Sequence, residues 1–145
     1  MIENTISEVF AKGTEEYDTI VGTYDLIVSN APTISVESKN IMALADTYKV
    51  KLASIYYGLS QKISAMKREY QKTYDNHYVR LVKLGRPSHT AIDTEIRTIY
   101  PDYVLLSQQI EDFEQVKELI SIYIKAVDSV KQTATEMLRD SRRID

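Results

Sequence analysis

The chain has no cysteine and no tryptophan, and only three prolines and four glycines among its 145 residues. Without cysteine there is no disulfide framework, no thiolate nucleophile and no cysteine-ligated metal site. Proline is confined to Pro32, Pro87 and Pro101 and glycine to positions 13, 22, 58 and 85, the punctuation of a helical protein with few turns. Histidine is scarcer still. His77 and His89 are the only two, and the sequence has no H-E-x-x-H pair, no G-x-G-x-x-G, no P-loop and no G-x-S-x-G elbow. No enzymatic activity, cofactor or metal is expected. No stretch approaches the roughly 18 apolar residues of a membrane span. The opening "MIENTISEVFAKG" lacks the basic region and apolar run of a signal peptide. These absences lead to the expectation of a soluble, cytoplasmic protein with no membrane partner, and its length suits a single domain, residues 1–145.

What the chain does have is helical periodicity. Thr5 followed by Glu8 has the form of a capping box, and Ile6, Phe10, Tyr17, Ile20, Tyr24 and Ile27 recur at helical spacing, predicting one amphipathic helix over residues 1–30. The turn-formers around Pro32 predict a linker at residues 31–36, with a second helix starting near Ser35. From there Ala45, Tyr48, Leu52, Tyr56, Leu59, Ile63, Met66, Tyr70, Tyr74 and Leu81 keep the spacing until Gly85 and Pro87 stop it. Gly58 is the expected place for a bend. A short helix capped by Thr90, with Asp93 three residues on, leads to a break before Pro101, which can occupy the first turn of the last helix. That helix repeats Leu106, Ile110, Phe113, Val116, Ile120, Tyr123, Val127, Val130, Ala134 and Met137, close to a heptad pattern.

The predicted fold is all-α. Two long antiparallel helices, joined by a turn and a short helix, form an extended hairpin over residues 37–145, with the N-terminal helix laid on it. Such a hairpin covers only part of each apolar stripe, which implies a self-associating protein, and Phe113, Val116, Ile120, Tyr123, Val127 and Val130 are the candidate oligomer interface.

Charge is unevenly distributed along the chain, whose net charge is -3. Residues 1–38 set one Lys against seven carboxylates, residues 39–86 set ten cations against three, and residues 87–145 set seven against eleven. The basic middle contains Lys49, Lys51, Lys62, Lys67, Arg68, Lys72, Arg80, Lys83 and Arg86, the candidate nucleic-acid-binding residues. On a helical wheel Lys51, Lys62, Arg80, Lys83 and Lys72 fall roughly 80° to 160° from Tyr70, a flank able to follow a phosphate backbone. The competing reading is a solvated face paired with Glu8, Glu15, Glu16 and Asp18 of the first helix. Tyr70 and Tyr74 continue the apolar stripe and read as core. Tyr78, at its edge, is the candidate for stacking on a base. His77 reads as a packing or rim residue. Glu111, Asp112, Glu114 and Glu118 read as a solvated acidic face, and Arg139, Arg142 and Arg143 as cations suited to a helix C-terminus.

The stretch "KVKLASIYYG" in the first long helix, followed by a turn, a short helix and "PDYVLLSQQIEDFEQVKELISIYIKAVDSVKQTATEMLRD", resembles the phage recombination mediators of the UvsY type over about residues 45–140. The resemblance implies a closed homo-oligomer. It also implies single-stranded DNA bound through basic residues of the long helix, Lys49 and Lys51 among them. Partners would be a recombinase and a single-strand-binding protein, the mediator loading the former onto DNA coated by the latter. Ser54 and Ile55 stand where that family pattern carries another Arg. The alternative expectation, from a different class, is a helical interaction protein, such as a phage structural, assembly or host-inhibiting factor, that binds a protein and no nucleic acid.

Overall fold

The computed structural model describes residues 2–29, 35–86 and 88–144, without the side chains of residues 2, 29, 35–37 and 144. Five helices follow in order: α1 (Ile2–Ser7), α2 (Glu15–Ser29), α3 (Ser35–Lys83), α4 (His89–Ile99) and α5 (Pro101–Ile144). There is no strand among the described residues. The long helices α3 and α5 pack together as a hairpin, as the two matched apolar stripes require. The predicted linker around Pro32 and the stop at Pro87 lie largely or wholly outside the described residues.

The N-terminal stretch is two helices rather than the one predicted. Thr5, taken as a cap, lies inside α1, and the chain turns at residues 8–14. The Thr14 N–H donates to the Ala11 carbonyl at 3.2 Å, and the third residue of that turn, Gly13, takes φ +86°, a conformation that side-chain-bearing residues avoid. Thr14 is the cap that matters: its Oγ1 accepts from the Tyr17 N–H at 3.3 Å, and Glu15, Glu16 and Asp18 follow in the first turn, where carboxylates favour the helix N-terminus.

Backbone contacts divide the chain into two units. The first, residues 1–58 with 115–145, has an aliphatic core in which Ile6, Ile20, Leu52, Val116, Ile120 and Val127 are fully buried. Leu26, Ile41 and Ala134 form a further cluster there, with Met42, Tyr48 and Val130 packed against it. The second unit, residues 59–114, holds the last part of α3, all of α4 and the start of α5. Leu81, Ile92, Ile96 and Tyr103 make a core cluster there, surrounded by Tyr70, Tyr74, Tyr78 and Tyr100. α3 is unbroken through Gly58, and the boundary between the units falls immediately after it.

The helix ends in the second unit follow from local chemistry. α3 stops in a Schellman motif: the Gly85 N–H donates to the Val82 carbonyl at 3.0 Å, and the Arg86 N–H to the Leu81 carbonyl at 3.2 Å. Gly85 supplies the φ of +80° that the motif needs. The cap of α4 is Ser88 rather than Thr90: its Oγ accepts from the Ala91 N–H at 3.2 Å, which places Thr90 in the first turn. Tyr100 is extended, as a residue before proline tends to be, and Pro101 opens α5 where its missing N–H costs nothing.

The two glycines of α3 and its stop predict opposite responses. Gly85→Ala should destabilise the fold by about 1 kcal/mol, because alanine must adopt a left-handed conformation. Gly58→Ala should stabilise it by up to about 1 kcal/mol, since Gly58 is helical and nothing stands within 4 Å of where its Cβ would lie. Urea unfolding followed by circular dichroism reads both signs; equal shifts in the two midpoints would contradict the assignment.

Candidate nucleic-acid interface

The nine predicted cations are all exposed, but the chain treats them in two ways. Lys49 pairs with Asp128 at 2.7 Å, Lys51 with Glu15 at 3.9 Å, Lys67 with Glu114 at 2.7 Å and Arg86 with Glu95 at 3.0 Å. Only the Lys51 pair uses the acidic first turn of α2; the others reach carboxylates of α4 and α5. The remaining five have no carboxylate partner among the described residues. Lys62 lies over the Phe113 ring at 4.8 Å from its centroid, and Arg80 over Tyr100 at 4.8 Å. Arg68, Lys72 and Lys83 have no partner among the described residues. Arg68 and Lys72 are four residues apart and so share one face of α3, and Lys83 returns to nearly the same direction about three turns later.

The tyrosines of this segment turn inward. Tyr70 stacks on Tyr103 with ring centroids 4.2 Å apart, and Tyr74 lies 5.8 Å from Tyr103. Burial, then the hydrogen bond with Tyr70, pushes the Tyr103 hydroxyl up. The Tyr74 hydroxyl donates to Asp93 at 2.6 Å, and Arg97 donates to both oxygens of the same carboxylate. The hydrogen bond to Asp93 is the main cause that pushes Tyr74 up to about 12, and the same bond, with Arg97, holds Asp93 below the usual carboxylate range. Tyr78 is half-buried, with Tyr74 at 6.1 Å on one side and the His89 ring at 5.5 Å on another. Its ring is thus partly occupied by contacts within the chain. Residues 62–83 expose no aromatic ring. Of the thirteen tyrosines and phenylalanines, Tyr57 alone is exposed, at 70 %; its position roughly 140° round the wheel from Tyr70 is the signal that could have singled it out.

His77 is drawn further in than a rim residue, its side chain 11 % exposed. Its Nε2 lies 3.2 and 3.1 Å from the two Asp102 oxygens, its Nδ1 lies 2.6 Å from an Arg80 nitrogen, and its ring stacks on Tyr100 at 3.9 Å. Asp102 is pushed up by burial, but the bonds from His77 and from the Tyr103 N–H outweigh this and hold it below the ordinary value.

Of the six residues expected at an oligomer interface, four are buried inside the chain and two, Phe113 and Val130, are half-buried. Val116, Ile120 and Val127 are completely buried within one chain and Tyr123 is 5 % exposed, so α5 spends these side chains on the chain's own core. Phe113 is half-buried beneath Lys62, and Val130 packs on the cluster of Leu26, Ile41 and Ala134. In the first unit a cleft of about 170 Å³ is lined by Glu15, Glu16, Thr19, Lys51, Ser54 and Ile55. Among the described residues no cluster of histidines and carboxylates could hold a metal ion, and no helix is long and apolar enough to cross a membrane.

Comparison with known proteins found no matching family model, no matching curated protein and no matching solved structure. The functional reading therefore rests on these residues and on the likeness of pattern described above.

Tyr123 generates a test of the core assignment. Its hydroxyl is buried with no hydrogen-bond partner among the described residues, and burial, with the nearby Tyr24, pushes it up to about 12. The fold favours the protonated phenol, so this stability is complete below the unfolded value of about 10 and is lost as pH rises toward about 12. Tyr123→Phe should leave stability at neutral pH unchanged or raised, because it removes an unpaired polar group, and should lessen the alkaline loss. Urea midpoints at neutral and alkaline pH check both; a marked loss at neutral pH would show that the hydroxyl has a partner.

Proposed function

We propose that the protein is a non-enzymatic helical accessory factor that binds the backbone of single-stranded DNA along α3. In line with the resemblance to the UvsY-type mediators, it would help a recombinase onto strands coated by a single-strand-binding protein during phage recombination in the host cytoplasm. One observation carries the reading. Among the described residues, carboxylates pair with Lys49, Lys51, Lys67 and Arg86 but leave Lys62, Arg68, Lys72, Arg80 and Lys83 without one on a single helical segment. A cation already paired gains little from a phosphate, whereas a free one releases a counterion from the nucleic acid. With Tyr70, Tyr74 and Tyr78 turned inward, the contact is to phosphates and carries little sequence preference.

The resemblance also implies a closed oligomer and contact with protein partners. Such an assembly must be built on surfaces other than the buried seam of α5. A second reading, an interaction protein that binds no nucleic acid, is favoured by exposed apolar side chains beside the same cations: Val79 and Val82 at 52 % and Leu84 at 65 %.

Salt titration separates the two. Replacing Arg68, Lys72 and Lys83 together by Ala should reduce the slope of log affinity against log salt by about 2, at about 0.7 per phosphate contact on a single strand. Helicity should be unchanged, since all three are exposed. The matching triple Lys49, Lys51 and Lys67 variant should change the slope much less. A folded Arg68, Lys72, Lys83 variant that binds an oligonucleotide as tightly as the parent at low salt would leave the second reading standing.

A further inference from the structure

Arg80 differs from the other unneutralised cations in being held by a group that can change its charge. A guanidinium has five N–H donors and no acceptor. The His77 Nδ1 that meets Arg80 Nη2 at 2.6 Å must therefore offer a lone pair. The imidazole proton then sits on Nε2, where it donates to Asp102, whose oxygens lie at 3.2 and 3.1 Å. Tyr100 completes the arrangement, stacked on the His77 ring at 3.9 Å and lying beneath the Arg80 guanidinium at 4.8 Å. A hydrogen bond from Arg80 to His77 thus requires the neutral ring with its proton on Nε2.

We infer that His77 is a proton-operated latch on Arg80: the neutral imidazole holds the guanidinium against Tyr100, and the protonated ring releases it to a phosphate of the nucleic-acid backbone. The inference rests on the nucleic-acid reading for its ligand, and on the geometry around His77 for its mechanism. Protonation at Nδ1 converts an acceptor into a donor that faces another donor, and sets two positive charges against each other at the same short distance. The two groups respond differently. The ring stays, because its Nε2–H points at Asp102 and the added charge strengthens that bond. Arg80 leaves, because it is exposed and α3 offers it no other carboxylate among the described residues.

The surroundings contain little to blur this exchange. Asp102 of α5 is the acid that faces the ring, Arg80 of α3 the cation, and Tyr100, between α4 and α5, the stacked partner. The charged side chains of α4 are engaged elsewhere: Asp93 with Tyr74 and Arg97, and Glu95 with Arg86. His89, the other histidine, meets the Tyr78 hydroxyl at 3.1 Å. Asp75, five residues before Arg80 and so on a different face of α3, accepts from Gln71.

The test is binding of an oligothymidylate across a salt titration at about pH 8 and about pH 5.5, the range in which an imidazole changes charge. The parent should show a slope steeper by about 0.7 at the lower pH, one further phosphate contact on a single strand. His77→Gln keeps a donor for Asp102 but cannot gain charge, and should show the same slope at both. His89→Gln should keep the steepening. A parent with equal slopes, or a His77→Gln variant that still steepens, overturns the latch. Nuclear magnetic resonance of the free protein gives a reading independent of DNA: the Arg80 guanidinium N–H signal should follow the titration of His77, and an Arg80 signal indifferent to it also overturns the latch. If Arg80 responds but no strand is bound at either pH, the phosphate role fails together with the nucleic-acid reading, while the coupling of His77 to Arg80 holds.

Discussion

α3 and α5 are each amphipathic, and such a helix draws most of its stability from packing its apolar stripe against another. Burying an aliphatic side chain contributes roughly 1.5 to 3 kcal/mol, against an exposed helix whose own hydrogen bonds compete with water on nearly equal terms. Pairing α3 with α5 is therefore the constraint on which the rest depends. It consumes Leu52, Val116, Ile120 and Val127, which would otherwise be an adhesive surface. It also decides which face of each helix remains for charge.

The two units meet that constraint with different materials. Residues 1–58 and 115–145 use aliphatic side chains, with α2 contributing Ile20 and Leu26, and tolerate a tyrosine hydroxyl at Tyr123 without a partner among the described residues. Residues 59–114 use rings, and rings bring polar ends that must be satisfied when they are drawn inward. Tyr74 finds Asp93, Tyr78 finds His89, and Tyr103 finds Tyr70. The consequence is a set of polar contacts that reach the surface at Arg97, which bonds the same Asp93 carboxylate as Tyr74.

Charge follows the same logic. Where α3 runs beside acidic positions of α5, as at Lys49 with Asp128 and Lys67 with Glu114, cations are neutralised at the surface. Each such pair is worth little in stability, on the order of 0 to 1 kcal/mol, but removes a site from which a polyanion could release counterions. Arg68, Lys72 and Lys83 project from α3 where no carboxylate reaches them among the described residues. A basic segment of ten cations thus becomes a shorter row, and the row, not the composition, is what could meet a phosphate backbone.

The sequence by itself determined the all-α class, the two long helices, the short one between them, and the inward placement of Tyr70 and Tyr74. Those follow from a period of 3.6 residues and from a few glycines and prolines, which act locally. It misplaced the caps at Thr5 and Thr90, because Ser and Thr are common near helix starts and the choice of Thr14 or Ser88 depends on where the backbone actually turns. It misjudged Val116, Ile120, Tyr123 and Val127 as an outer seam, because a wheel shows that a stripe is apolar and not what covers it. Only the tertiary structure decided which cations are paired, why Tyr78 is half-buried and Tyr57 exposed, and how His77 comes to lie between Asp102 and Arg80. Those facts are made by residues up to 85 positions apart in the chain, as Asp46 and Lys131 are, and no local pattern records such a meeting.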